Sequence, residues 1–181
     1  PNLGLRWTWE EFADKVERIA AGFVALGLRK GDRIGIWSQN RPEWVLTQFA
    51  SARAGLILTT INPAYRVTEL EYVLNRVQAK ALVSAEAFKT SDYLGMLRML
   101  APELDFAEPG NLQAAKLPNL RIVIRMGETQ SPGMVSFDDL AGLGGADDIT
   151  YLGHVATAMK PQDPINIQFT SGTTGAPKGA T

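Results

Sequence analysis

Ten consecutive residues near the end of the chain carry the side chains best suited to chemistry: Thr170-Ser171-Gly172-Thr173-Thr174-Gly175-Ala176-Pro177-Lys178-Gly179. Glycines let a backbone approach an anion and turn several N–H groups toward it. The hydroxyls of Thr170, Ser171, Thr173 and Thr174 are short neutral donors, and Lys178 adds a mobile positive charge. That combination suits a polyphosphate. The spacing excludes two common nucleotide loops. A Walker A loop needs G-x-x-x-x-G-K-[ST]; counted from Gly172, the second glycine position is Pro177, and Gly179 follows the lysine. The dinucleotide pattern G-x-G-x-x-G fails because Gly172 and Gly175 are three apart. The plain alternative is a solvated Ser/Thr/Gly linker. Against it stands the run Ile165-Asn166-Ile167-Gln168-Phe169, whose alternation predicts a strand leading into the loop. Nucleotide loops follow strands in open α/β sheets.

Other candidates are weaker. His154 is the only histidine and has no partner in sequence, so a loop or surface role is expected. Asp138-Asp139 and Asp147-Asp148 read as solvated turns rather than a cation site. Trp7, Trp9, Trp37 and Trp44 follow element patterns and read as core or half-buried packing. Asn62-Pro63-Ala64-Tyr65 reads as a fixed turn between a strand and a helix cap.

The elements that must position the loop alternate between two periods. Thr8 with Glu11 forms a capping box, and Phe12, Val16, Ile19, Phe23 and Leu26 follow at helical spacing up to Gly27. Arg33 to Trp37 is a strand. Pro42 opens a second helix that Gly55 closes. Leu56 to Thr60 is β-rich, Thr68 with Glu71 suggests another capping box, and Ala81 to Val83 is a strand. Ser91 to Ala115 reads as helical, interrupted by Pro102 and Pro109. Arg121 to Ile124 is a strand, Ser136 to Leu140 a short capped helix, and Gly142 to Asp148 a polar Gly-rich loop. A helix is expected to begin where the chain stops, after Thr181. The alternation predicts an α/β fold with a mostly parallel sheet covered by helices.

Composition removes several function classes. Net charge is −1 with no basic block, so no electrostatic footprint for nucleic acid or an anionic membrane exists. With no cysteine, disulfides, thiolate metal sites and cysteine nucleophiles are excluded. No apolar run approaches the roughly 18 residues of a membrane helix. The chain begins at Pro1 rather than methionine, so the expectation is a piece of a longer protein whose targeting peptide, if any, lies outside it.

Phe169 to Gly179 resembles the phosphate-loop signature of the adenylate-forming superfamily: acyl-CoA synthetases, firefly-type luciferases and peptide-synthetase adenylation domains. Trp7 to Phe12, Lys30 to Arg33, Asn40 to Trp44, Ala54-Gly55 and Asn62 to Tyr65 stand in that family's usual order. Asn62 to Tyr65, Glu69 to Leu74 and Asp163 to Phe169 look most like medium-chain fatty-acid CoA ligases of the acyl-CoA synthetase family member 2 type. The resemblance covers essentially the whole chain and is weakest from Met126 to Met159.

The resemblance implies that residues 1–181 are the N-terminal part of an AMP-binding domain and form most of its first α/β subdomain. Residues 170–179 would be the phosphate loop, with the C-terminal domain absent. It implies a fatty-acid CoA ligase that uses ATP with Mg²⁺ and takes coenzyme A as co-substrate. The phosphate contacts would come from Thr170, Ser171, Gly172, Thr173, Thr174, Gly175, Ala176, Pro177 and Lys178, with Lys178 the one catalytic residue. The acidic metal ligand, the ribose-binding aspartate and a second catalytic lysine would follow Thr181, so no metal ligand and no ligase activity are expected of these residues alone. Another adenylating enzyme, such as an aryl-CoA ligase or an amino-acid adenylation domain, shares the loop. A non-catalytic nucleotide-binding module is the reading from a different class. The expected location is cytoplasmic, or the mitochondrial matrix if a leader was removed; a homo-oligomer stays open.

Overall fold

The computed structural model describes residues 4–170 and 177–181. The first helix, α1 (Trp9–Ala25), opens with the expected capping box: Glu11 N–H donates to the Thr8 hydroxyl at 3.2 Å, and Thr8 N–H donates to Glu11 at 2.7 Å. Pro42 begins α2 (Pro42–Arg53), and α3 spans Val67–Arg76. In α3 the cap is Arg66, two residues earlier than Thr68 predicts. Arg66 N–H donates to Glu69 at 3.1 Å, because extended backbone at Arg66 already turns into the helix there.

All three helices end alike. Gly27 and Leu28 donate to the carbonyls of Val24 and Phe23, Gly55 and Leu56 to those of Ala52 and Ser51, and Gln78 and Ala79 to those of Asn75 and Leu74. This paired closure needs a left-handed residue first and an apolar residue next. Gly27, Gly55 and Gln78 have φ of 88°, 69° and 51°, and Leu28, Leu56 and Ala79 are buried. Each ending feeds a strand: β1 (Arg33–Trp37), β2 (Ile57–Thr60) and β3 (Ala81–Ser84). Leu56 therefore belongs to the helix ending rather than to the strand.

A two-stranded ribbon, β4 (Ala87–Phe88) with β5 (Ser91–Asp92), precedes α4 (Tyr93–Leu100). Strand β6 (Ile122–Arg125) and the short β7 (Val135–Ser136) follow, then α5 (Leu140–Leu143), α6 (Ala146–Ala158), β8 (Asn166–Thr170) and β9 (Lys178–Ala180). Among the described residues these strands make one sheet in the order β7-β6-β3-β1-β2-β8-β9. Every pairing is parallel except β8 with β9. The predicted α/β class with a mostly parallel sheet is what forms. Helix α1 packs on α2, α5 and α6, whereas α3 packs on α4. Strands β3 and β6 are buried throughout, as parallel strands covered on both faces must be.

Three local expectations are corrected. Ser91 to Ala115 is helical only over α4 and a 3₁₀ turn at Pro102–Asp105. Beyond it the chain folds back, with Glu103 accepting from Ala115 N–H at 3.0 Å and Leu112 N–H donating to Arg121 at 2.8 Å. Ser136 pairs with Arg125 instead of capping a helix, and the short helix begins at Leu140. The run Gly142 to Asp148 is no loop throughout. Asp148 accepts from Gly145 N–H at 2.9 Å and so opens α6, leaving only Gly144 and Gly145 between two helices. The chain then continues through the strand Lys178–Ala180.

Candidate functional site

The candidate loop joins β8 to β9. Thr170 lies opposite Lys178, Phe169 opposite Gly179 and Gln168 opposite Ala180. The Thr170 hydroxyl donates to the Lys178 carbonyl at 3.4 Å. A Cβ at Gly179 would lie 3.2 Å from Ile167 Cγ2 and 3.4 Å from Phe169 Cζ, so those side chains would have to give by a few tenths of an ångström. The expected contact residues Ser171, Gly172, Thr173, Thr174, Gly175 and Ala176 lie outside the described residues. Thr170 and Lys178 are both exposed, and Pro177 is half-buried. A hydroxyl and a lysine thus flank the loop at one level of the hairpin.

Because β8 runs parallel to β2, the loop leaves the same end of the sheet as the Asn62–Tyr65 turn. That turn is fixed, as its residues suggest. Asn62 Oδ1 accepts from Ala64 N–H at 2.9 Å, and the Asn62 carbonyl accepts from Tyr65 N–H at 3.0 Å and from the Trp37 indole at 3.2 Å. The Tyr93 hydroxyl donates to the Pro63 carbonyl at 2.6 Å. Trp37 and Tyr93 stack with ring centres 3.8 Å apart, and both are fully buried. Burial raises the Tyr93 phenol above its ordinary range, with the Arg66 charge opposing; burial and the nearby Glu69 raise Tyr65. Helix α3 follows this turn. Its Tyr72 hydroxyl donates to the Pro177 carbonyl at 3.4 Å.

The other end of β8 is anchored separately. Leu58 N–H donates to the Ile165 carbonyl at 3.0 Å. Lys30 Nζ lies 2.7 Å from Asp163 and also donates to the Ala158 carbonyl at 3.3 Å. Tyr151 on α6 accepts from Lys30 N–H at 3.0 Å, and the Arg29 guanidinium sits 5.1 Å from its ring centre. Lys30-Gly31-Asp32-Arg33 is thus structural: Asp32 also accepts from Arg29 N–H and Lys80, each at 2.8 Å.

A cavity of about 740 Å³ lies at the opposite edge of the sheet between Leu26, Phe106, Arg125, Met134 and Leu143. Arg125 there is almost wholly buried and is spent on structure. It pairs with Glu86 at 3.0 Å and donates to the carbonyls of Gly127 and Thr129. That cavity is not joined to the hairpin among the described residues.

The remaining sequence candidates resolve simply. His154 is exposed on α6. Trp37 is core and Trp7 and Trp44 are half-buried, but Trp9, the first residue of α1, is 85% exposed and meets Phe12 edge-on. Asp147 and Asp148 stand in the first turn of α6, where a negative charge suits the helix dipole. Among the described residues no three Asp, Glu or His side chains converge to hold a metal. No described helix is long and apolar enough to cross a membrane. Sequence reasoning missed Tyr72, Trp37 and Tyr93 as supports of the site, since each contact spans distant parts of the chain.

The AMP-binding enzyme family matches residues 2–181. The chain is 47% identical over 178 residues to the medium-chain acyl-CoA ligase ACSF2, mitochondrial, of Danio rerio, covering 98% of this chain and 29% of that protein. It is 35% identical over 179 residues to the putative acyl-CoA synthetase YngI of Bacillus subtilis, covering 99% of this chain and 33% of that one. Among solved structures, apo MbtA of Mycobacterium smegmatis shares the fold with a TM-score of 0.73 at 26% identity, over 97% of this chain and 28% of that one. The chain spans about a third or less of the length of these proteins. By the family match across its whole described length, the chain belongs to the AMP-binding enzymes.

Proposed function

We propose that the chain is the ATP-phosphate-binding part of a fatty-acid CoA ligase, with medium-chain acids as substrates. The observation that carries the reading is the hairpin: Thr170 and Lys178 face each other across the mouth of a Ser/Thr/Gly loop at the carboxyl end of a parallel strand. In the parent's first step a fatty-acid carboxylate oxygen attacks the α-phosphorus of ATP. The bond to pyrophosphate breaks and acyl-AMP forms. In the second step the sulfur of coenzyme A attacks the acyl carbon and AMP leaves. The first step sets an anion against a polyanion. Lys178 and the loop's hydroxyls and amides offset that repulsion and hold charge growing on the departing pyrophosphate. Mg²⁺ enters with ATP as part of the substrate.

The resemblance gives the same loop to aryl-CoA ligases, luciferases and amino-acid adenylation domains, so acid choice rests on the wider likeness to a medium-chain acyl-CoA ligase. The same relative is named mitochondrial, which favours the matrix over the cytoplasm for a parent from an organism with that compartment. The test is acid-dependent ATP–pyrophosphate exchange by the full-length parent with fatty, aryl and amino acids. Exchange driven best by medium-chain fatty acids, followed by thioester formation with coenzyme A, is expected. Exchange driven only by amino acids would replace this reading with an adenylation domain. No exchange with any acid would leave a nucleotide-binding module.

A further inference from the structure

The two peptide groups on either side of Lys178 are each held by a side-chain hydroxyl. Tyr72 donates to the Pro177 carbonyl, which precedes Lys178, and Thr170 donates to the Lys178 carbonyl, which follows it, both at 3.4 Å. Proline fixes its own φ, so a hold on its carbonyl orients the next residue's N–H and Cα directly. Thr170 belongs to the hairpin itself. Tyr72 does not: it stands on α3, whose start is fixed by the Asn62–Tyr65 turn and whose inner face is buried through Leu70, Val73 and Leu74. The Tyr72 ring is itself partly exposed, so its hydroxyl reaches the loop without being needed in the core.

From this geometry we infer that Tyr72 is a positioning residue for Lys178, linking α3 to the exit of the phosphate loop. It touches no reacting atom. It acts by limiting the directions from which the lysine reaches the phosphates, so its effect is confined to the step in which ATP is engaged. The inference rests on the ligase reading above.

The test is Tyr72→Phe in the full-length parent, which keeps the ring and removes one donor. Losing a single neutral hydrogen bond predicts a roughly fivefold rise in KM for ATP in pyrophosphate exchange. Thioester formation from supplied acyl-AMP and the melting temperature stay at the parent values. Faster amide hydrogen exchange in the peptide holding Pro177 to Ala180 is expected alongside. Equal slowing of both half-reactions, or an unchanged KM with unchanged hydrogen exchange, would overturn the assignment. A parent that exchanges no pyrophosphate with any acid, yet whose loop amides exchange faster in the variant, would sink the ligase reading and leave the Tyr72 link standing.

Discussion

Lys30 and Asp163 meet at 2.7 Å, and through them the turn between α1 and β1 holds the start of the strand that carries the candidate loop. The Lys30 ammonium, with the Lys160 amide, keeps the Asp163 carboxyl below its ordinary range. A carboxylate with a lowered folded value stabilises in full above its unfolded value, and the contribution is lost as pH falls through the folded one. Asp163→Asn is expected to lower the melting temperature at neutral pH. The gap from the parent should close in acid and narrow in high salt, since the pair is partly exposed. Thermal melts across pH check this; a gap that does not vary with pH would count against it.

Gly22 lies inside α1 where helix propensity alone would favour alanine by up to about 1 kcal/mol. Its neighbour across the helix interface forbids it. A Cβ at Gly22 would sit 2.2 Å from the Leu140 carbonyl oxygen and 2.9 Å from its carbon. Both are backbone, so the α1–α5 contact must open. Gly22→Ala is expected to destabilise by about 1–2 kcal/mol net, read as a lower urea midpoint. An unchanged or higher midpoint would mean that propensity outweighs packing here.

Tyr93→Phe isolates the hydrogen bond that fixes the Asn62–Tyr65 turn. The variant keeps the stack on Trp37 and loses the 2.6 Å donation to Pro63. The expected loss is about 1 kcal/mol, measured by urea unfolding with an unchanged slope. A loss near zero would assign the turn's rigidity to Trp37 and the Asn62 side chain instead.

In the full-length parent, Lys178→Ala is expected to slow acyl-adenylate formation about a hundredfold. Thioester formation from added acyl-AMP should change little. Comparison of the two half-reactions decides the matter, because similar slowing of both would remove the lysine from the ATP step.

Much of this was legible in one dimension because local chemistry decides it. Thr8 with Glu11 announces α1, and Gly27 and Gly55 announce its end and that of α2. Gln78 closes α3 in the same way with no glycine to signal it; the buried Ala79 beyond it makes the strain worthwhile. Helix α6 stayed hidden behind Gly142 to Gly145, since its buried face rests on little more than Leu152 and Val155. The strands β7 and β9 are two and three residues long and exist only through their partners β6 and β8. The loop's chemistry could be read from composition. Its support by Tyr72 could not, because no pattern along α3 distinguishes a tyrosine facing water from one reaching Pro177.

The sheet order also has a kinetic side. Strands β1, β2 and β3 pair with near neighbours in the chain, whereas β8 finds β2 by matching Leu58 with Asn166 across most of the sequence. Closing so long a loop is entropically costly until the rest of the sheet is in place. The strand that presents the phosphate loop is therefore the late arrival, docking on an edge already formed. Pulsed hydrogen-exchange labelling during refolding should find β1 and β2 amides protected before those of β8, so that nucleotide-binding competence is the last property the fold acquires.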